Sequence, residues 1–107
     1  MATANKILGQ VKPAAITNTI LYTVPASTQA DANIFAANQG AGEDKVRIAV
    51  TKSGSILAPT NYLIYDTVIA GNSTLNLTGL ALAAGDFITV YSENGTTSFN
   101  ATGIEIS

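Results

Sequence analysis

Apolar and polar residues alternate along several short stretches of the chain. In residues 45–52, KVRIAVTK, Val46, Ile48 and Val50 share one parity, and the polar Lys45, Arg47 and Thr51 lie on the other. A period of two predicts a β-strand with one buried and one solvated face. Comparable stretches recur about every dozen residues, a spacing typical of β-sandwiches and β-barrels.

Proline, glycine and asparagine separate these stretches. Pro25 follows the apolar residues 19–24 and ends that strand, since proline cannot donate to a ladder. Asn94-Gly95 lies between two alternating stretches and predicts a hairpin. The one helix-like segment, LALAA at 80–84, is ended at once by Gly85. We therefore predict an all-β chain folded as a single antiparallel β-sandwich of seven or eight strands, for which a jelly roll is one arrangement.

Two stretches depart from simple alternation. Residues 61–69, NYLIYDTVI, are apolar on both parities, which predicts a strand covered on both faces. In the final stretch, residues 97–106, the apolar positions change parity at Gly103, which predicts a β-bulge there. The predicted core comprises Val46, Ile48, Val50, Leu75, Leu77, Ile88, Val90 and Phe99.

A chain of 107 residues corresponds to one domain. We assign residues 13–107 to the β-sandwich. Residues 1–12 carry only Lys6 and Lys12 as charges, and we interpret them as an N-terminal arm or a weak first strand. We expect this segment to lie against a neighbouring subunit.

The composition excludes several classes of site and partner. The chain has no cysteine and no histidine, so it lacks disulfides, thiolate zinc sites and the commonest general base. Its net charge of −2 gives no basic surface for nucleic acid, and no apolar run predicts a membrane helix. No signal peptide is recognised, so we expect synthesis in the cytoplasm.

Charged residues make up only 11% of the chain, whereas hydrophobic residues make up 47%. So few charges protect a folded surface poorly against association. We therefore favour a surface largely covered by sister subunits or by another protein. The alternative is a small monomer whose surface is solvated by hydroxyl and amide groups.

The carboxylates give no convincing acid–base pair. Glu43 and Asp44 are adjacent in a glycine-containing loop, where we expect solvated charges. Asp66 lies within an apolar strand, and we expect it to be buried and paired or to lie at an edge. Asp86 follows Gly85, and we interpret it as a turn cap.

The remaining candidate groups also have structural interpretations. Lys52 beside Ser53 and Ser55 could form a dyad, but the sequence TKSGS is more typical of a hairpin end. The GAG at 40–42 lacks the spacing of a phosphate-binding loop, and Asp31 with Asn33 lacks the spacing of a calcium loop. We predict no catalytic, cofactor-binding or metal-ligating residue, and no enzymatic activity.

The tyrosines leave two interpretations open. Tyr22, Tyr62, Tyr65 and Tyr91 suit a core or a protein interface, because the ring buries apolar area while its hydroxyl keeps a hydrogen bond. Exposed tyrosines are also used by sugar-binding modules, so a groove lined by tyrosines and acids would favour glycan binding.

The order of several segments resembles that of a known group of proteins. These segments are ILYTVPA, IFAANQG, VRIAV, NYLIYDTVI, NSTLNLTGLALAAGDFITVYS and SFNATGIE, and the likeness extends over most of the chain, from about Lys6 to Glu105. The chain resembles the small β-sandwich virion structural proteins, roughly a hundred residues long, of tailed bacteriophages, especially those of marine bacteria and cyanobacteria.

The resemblance implies a structural role in the virion and carries no catalytic motif. It implies a decoration or cement protein on the capsid, with a tail, neck or fibre component as the alternative. A glycan-binding module for host attachment is the second class. We expect a homo-oligomer, with a trimer as the favoured state, that binds capsid or tail subunits and neither nucleic acid nor membranes.

Overall fold

The computed structural model describes residues 2–107, and apart from one 3₁₀ turn its regular secondary structure is all β-strand. The eight strands are β1 (Thr3–Val11), β2 (Thr19–Thr23), β3 (Gln29–Asn38), β4 (Asp44–Thr51), β5 (Tyr62–Ile69), β6 (Thr74–Leu82), β7 (Phe87–Ser92) and β8 (Thr97–Ile106). One 3₁₀ turn, Pro59–Asn61, precedes β5. Within residues 2–107, no helix has the length and apolar character needed to cross a membrane.

The strands form two antiparallel sheets of four. Sheet A has the order β1-β8-β3-β6, and sheet B has the order β2-β7-β4-β5. Strand 1 therefore pairs with strand 8, 2 with 7, 3 with 6 and 4 with 5, which is the pairing of a long hairpin rolled into a jelly roll. The predicted antiparallel β-sandwich is confirmed, with eight strands.

The core lies between the two sheets and contains the predicted residues. Five of them are buried, namely Val46, Ile48, Ile88, Val90 and Phe99. The other three are partly buried and pack against this cluster, namely Val50, Leu75 and Leu77. Small residues of β3, among them Ala32 and Ala36, complete the packing opposite sheet B. The period-two pattern therefore identified the inward face of β4, β6 and β7 correctly.

The bulge predicted at Gly103 is wrong. β8 pairs with β3 without interruption from Thr97 to Ile106, and the nearby register shift lies in β1, between Ile7 and Gly9. Gly103 is needed for a different reason, since a Cβ there would lie 1.9 Å from the Asp31 carbonyl oxygen. The alternation continues past it.

Because the parity is unbroken, the inward position after Gly103 belongs to an acid. Glu105 pairs with the buried Ala30, whereas Ile104 and Ile106 pair with exposed residues of β3. Both isoleucines are half-buried on the outer side of sheet A. Their apolar character gave a misleading parity signal.

The prediction that residues 61–69 are covered on both faces is also wrong. β5 is an edge strand of sheet B, and Leu63, Tyr65 and Val68 are exposed on it. Asp66 has a backbone φ of +52° at an irregular point in the pairing with β4. This bulge shifts the parity within the strand, so apolar residues fall on both parities although only one face is buried.

Asn94-Gly95 does form a turn, but the turn does not close a hairpin. β7 belongs to sheet B and β8 to sheet A, so the chain crosses from one sheet to the other at this point. Consecutive strands change sheet everywhere except between β4 and β5, which are neighbours in sheet B. A two-residue signal specifies a reversal of direction, and the sheet of the next strand depends on the whole topology.

The N-terminal segment, assigned as an arm or weak first strand, forms β1. Residues Thr3–Val11 pair with β8 at the edge of sheet A. Its side chains are exposed or half-buried, and none is fully buried.

Candidate functional site

Asp44 is buried, which corrects the expectation of a solvated loop charge. It begins β4 and is only 1% exposed, whereas the adjacent Glu43 is exposed. Its carboxylate accepts hydrogen bonds from the Ser92 hydroxyl, from the Thr97 hydroxyl at 2.5 Å and from the Asn94 N–H at 2.9 Å. The cluster joins the ends of β4, β7 and β8 across the two sheets.

Burial alone would raise the pKa of Asp44, because a charge is solvated poorly inside a protein. The hydrogen bonds from Ser92, Thr97 and the backbone of Asn94 and Lys45 outweigh burial and lower this pKa below its ordinary value. Asp44 is therefore an ionised, fully engaged carboxylate in the fold. Its role is structural, because its hydrogen bonds all go to groups that join the strands.

Asn38, at the end of β3, is a second buried polar junction that the sequence did not reveal. Its side-chain amide donates to the carbonyls of Gly42, at 2.9 Å, and of Ile69, at 3.0 Å. Its Oδ1 accepts from the Gly40 N–H and from the Thr96 hydroxyl. The GAG at 40–42 is thus a loop folded around an asparagine.

Asp66 lies at the edge of sheet B, as one of the two expectations had it, and it pairs with arginine. Arg47 Nε donates to Asp66 Oδ1 at 2.6 Å. This hydrogen bond lowers the pKa of Asp66 and raises that of Arg47. Asp66 is thereby ionised and paired, and neither exchanges protons near neutral pH nor offers a free carboxylate.

The guanidinium of Arg47 is also held between two aromatic rings. It lies 4.3 Å from the ring centre of Tyr65 and 4.3 Å from that of Tyr91. Tyr62 meets Tyr65 edge to face, with 5.0 Å between ring centres and 83° between planes. Cation–π and edge-to-face contacts both orient rings. We call this group of Arg47, Tyr62, Tyr65 and Tyr91 the tyrosine face.

A groove of about 630 Å³ adjoins the tyrosine face on the outer side of sheet B. Its walls are formed by Asn18, Leu57, Ala58, Pro59, Tyr62 and Tyr65. Tyr65 is 57% exposed, and nearby Leu63 and Val68 on the same strand are about half exposed. The walls are mostly apolar and contain no acid.

Tyr22, the remaining tyrosine, belongs to the core. Burial, together with its hydrogen bond to Glu105, raises the pKa of its hydroxyl. Glu105 also accepts from Lys6 Nζ at 2.6 Å, and these two donors, Lys6 first, lower the pKa of Glu105. The contacts connect β1, β8 and β2 at one end of the sandwich. The hydrogen bonds that Glu105 accepts there from Tyr22 and Lys6 explain why an acid occupies an inward position of β8.

The other candidate residues have local structural roles. Asp86 caps its turn by accepting from Ala83 N–H at 2.9 Å, as predicted, and it also accepts from Ser53 N–H at 3.0 Å. Lys52 and Ser55 close a turn in which the Lys52 carbonyl accepts from the Ser55 N–H. Asn33, considered with Asp31 for calcium, instead accepts from the Gly79 N–H.

Residues 2–107 contain no group of three or more acids that could hold a metal ion. The structure thus brings together one polar and aromatic surface, the tyrosine face. The sequence signalled its tyrosines but not Arg47, whose alternation in β4 indicated only a solvated position. Comparison with models of known families and with curated proteins gives no match for this chain.

Proposed function

We propose that this chain is a non-enzymatic structural protein of a bacteriophage particle, and that it decorates or cements the capsid surface. The observation that carries the proposal is the tyrosine face with its exposed neighbours on β5. Tyrosine and arginine are enriched where proteins bind one another, because they bury apolar area and keep polar contacts. The resemblance to small virion proteins is the basis for naming a bacteriophage particle as the partner.

The engagement of four of the seven acids supports a non-enzymatic role. Asp44, Asp66, Asp86 and Glu105 each accept hydrogen bonds from groups that hold the fold or its surface together. A general acid or base must instead reach a substrate and exchange protons with it.

We further propose that the protein is a homo-oligomer, with a trimer favoured, made in the host cytoplasm and incorporated into the virion. Only 12 of the 107 residues are charged, from 5 basic and 7 acidic residues. Two of these charges, Arg47 and Asp66, neutralise each other on the tyrosine face. A neutral partner surface can therefore cover this face at a small desolvation cost, because the two charges are already paired.

Particle binding tests the proposal. We expect purified protein to bind phage particles that lack it, and we expect electron cryomicroscopy to place it on the capsid. Replacing Tyr65 with alanine should weaken binding at least about tenfold, since central interface tyrosines often contribute this much. Phe35→Ala is the matched control, because Phe35 is a partly exposed aromatic residue on the outer side of sheet A.

The outcomes separate the alternatives. Density on the tail, neck or fibres would replace the capsid assignment with the tail alternative. Failure of the protein to bind any particle would contradict the role of the tyrosine face. An equal loss of particle binding in Tyr65→Ala and Phe35→Ala would contradict it as well.

Glycan binding is the second candidate, and the groove beside Tyr62 and Tyr65 favours it. Its volume of about 630 Å³ falls within the range of small-ligand sites, and ring faces with one amide suit a neutral sugar. Titration calorimetry with host-surface oligosaccharides tests it. Binding that Tyr62→Ala abolishes and Phe35→Ala preserves would support this function, whereas no heat at millimolar sugar would exclude it.

A further inference from the structure

β1 lies at the edge of sheet A, and its Leu8 and Val11 side chains are partly buried against the core. It pairs only with β8, and none of its nine side chains is fully buried. Two side-chain contacts reinforce the pairing, namely Lys6 Nζ to Glu105 at 2.6 Å and Gln10 Nε2 to Asn100 at 2.6 Å. The ladder, these two contacts and the packing of the two partly buried side chains would all be reproduced by the same strand of a second copy.

The segment that connects β1 to β2 is strained. Residues 12–18 form this seven-residue linker, and Ile16 within it has a φ of +58°. This left-handed conformation is unfavourable for a β-branched residue. The Ile16 side chain is 71% exposed, so packing contributes little to holding it. Its N–H donates to the Ser92 carbonyl at 3.0 Å, which fixes the turn.

We propose that β1 exchanges between copies of the chain, so that the β1 of one copy occupies the edge of β8 in the next, with residues 12–18 as the hinge. Opening the linker releases the strain at Ile16, and the exchanged ladder restores the hydrogen bonds of β1. Strained, short hinges favour this exchange. The inference deepens the self-association proposed above, because it names the contact.

The site beside β8 is specific for a second copy of this strand. A Cβ at Gly9 would lie 2.1 Å from the Leu21 carbonyl oxygen, so the occupant needs glycine at this register. It also needs a base whose side chain reaches Glu105 and an amide opposite Asn100, which Lys6 and Gln10 provide. A second copy of the chain carries all three groups at the required spacing.

The linker is long enough for the exchange. Seven extended residues span roughly 24 Å, at about 3.3–3.6 Å per residue. The smallest dimension of the domain is 19 Å. An opened linker can therefore reach a sandwich packed alongside the first.

A disulfide tests the exchange directly, because the natural chain has no cysteine. Gln10 and Asn100 are paired residues whose side chains meet, so Gln10→Cys with Asn100→Cys can form one bond across the seam. Oxidised protein is run on a denaturing gel without reductant. Exchange predicts covalent dimers or closed rings that reductant returns to monomers. The two single-cysteine variants measure accidental cross-linking, and Asn5→Cys with Ile104→Cys repeats the test at a second pair.

Hinge variants give an independent measurement. Ile16→Gly tolerates the left-handed conformation, so it should lower the exchanged fraction by about tenfold, which corresponds to about 1.4 kcal/mol. Ile16→Pro forbids this conformation and should raise the exchanged fraction. Both are compared with Thr17→Ala in the same linker.

The outcomes distinguish the exchange from the self-association on which it rests. Cross-links confined within single chains, in a protein that light scattering shows to be an oligomer, would overturn the exchange and leave self-association standing. The same cross-links in a protein that stays monomeric at high concentration would overturn both. An exchanged fraction that is unchanged by Ile16→Gly and Ile16→Pro would contradict the role of the hinge.

Discussion

Replacing Asp44 with alanine is expected to lower the free energy of unfolding by about 3–5 kcal/mol, because two buried hydroxyls and one backbone N–H then lose their acceptor. These donors are the hydroxyls of Ser92 and Thr97 and the N–H of Asn94. Water cannot replace the carboxylate easily, since Ser92 and Thr97 are fully buried. Urea unfolding followed by circular dichroism measures the change.

Glu43→Ala is the matched control for this prediction. Glu43 is the neighbouring carboxylate and is exposed, so its removal should change the free energy of unfolding by no more than about 0.5 kcal/mol. Similar effects of the two substitutions would show that Asp44 does not hold the strand ends together.

The pH dependence of stability identifies the charge on Asp44 as the cause. Its folded pKa is lower than the ordinary value of 3.8, so its stabilisation is complete above that value and is lost as pH falls through the folded pKa. The difference in unfolding free energy between the natural protein and Asp44→Asn should therefore shrink below about pH 4. Glu105 and Asp66 titrate in both proteins, so their contributions cancel. A difference that stays constant from neutral pH to about pH 2 would contradict this account.

Phe99→Ala is expected to cost about 3–5 kcal/mol of unfolding free energy, because it removes the largest fully buried side chain from the core. Phe99 lies on β8 between the two sheets and packs in the cluster that includes Ile34 and Ile48. Its partner on β3 is the small Ala36, which offers little bulk to fill the cavity.

Phe35→Ala serves as the control for this substitution as well. Phe35 lies on β3, next in sequence to Ala36, which pairs with Phe99, but its side chain is on the outer face and 41% exposed. Its removal should cost less than about 1 kcal/mol. Equal losses in thermal or urea unfolding would show that the inward and outward faces of sheet A have been misassigned.

The sequence by itself determined the fold class and most of the core. Alternation in β4 and β7 placed Val46, Ile48, Ile88 and Val90 inside, because a side-chain period of two allows one buried face per strand. The absence of histidine and cysteine also limited the available chemistry. These conclusions need only local pattern and composition.

The tertiary structure decided which strands are neighbours. The predictions from the sequence that were wrong depended on the order of the strands in the sheets. Asn94-Gly95 signals a turn in either case, but only the jelly-roll topology directs the chain into the other sheet. An apolar run does not specify whether its strand is central or at an edge, so the prediction that residues 61–69 are covered on both faces was wrong. The tyrosine face likewise forms because β4, β5 and β7 are adjacent.

The buried carboxylate of Asp44 shows most clearly what the sequence alone does not determine. Asp44 and Glu43 are chemically alike neighbours in the sequence, yet one is buried and the other exposed. The difference arises because Ser92, Asn94 and Thr97, about fifty residues away along the chain, bring their donors to Asp44. Burial of a charge depends on partners supplied by distant segments, and therefore only the folded structure determines it.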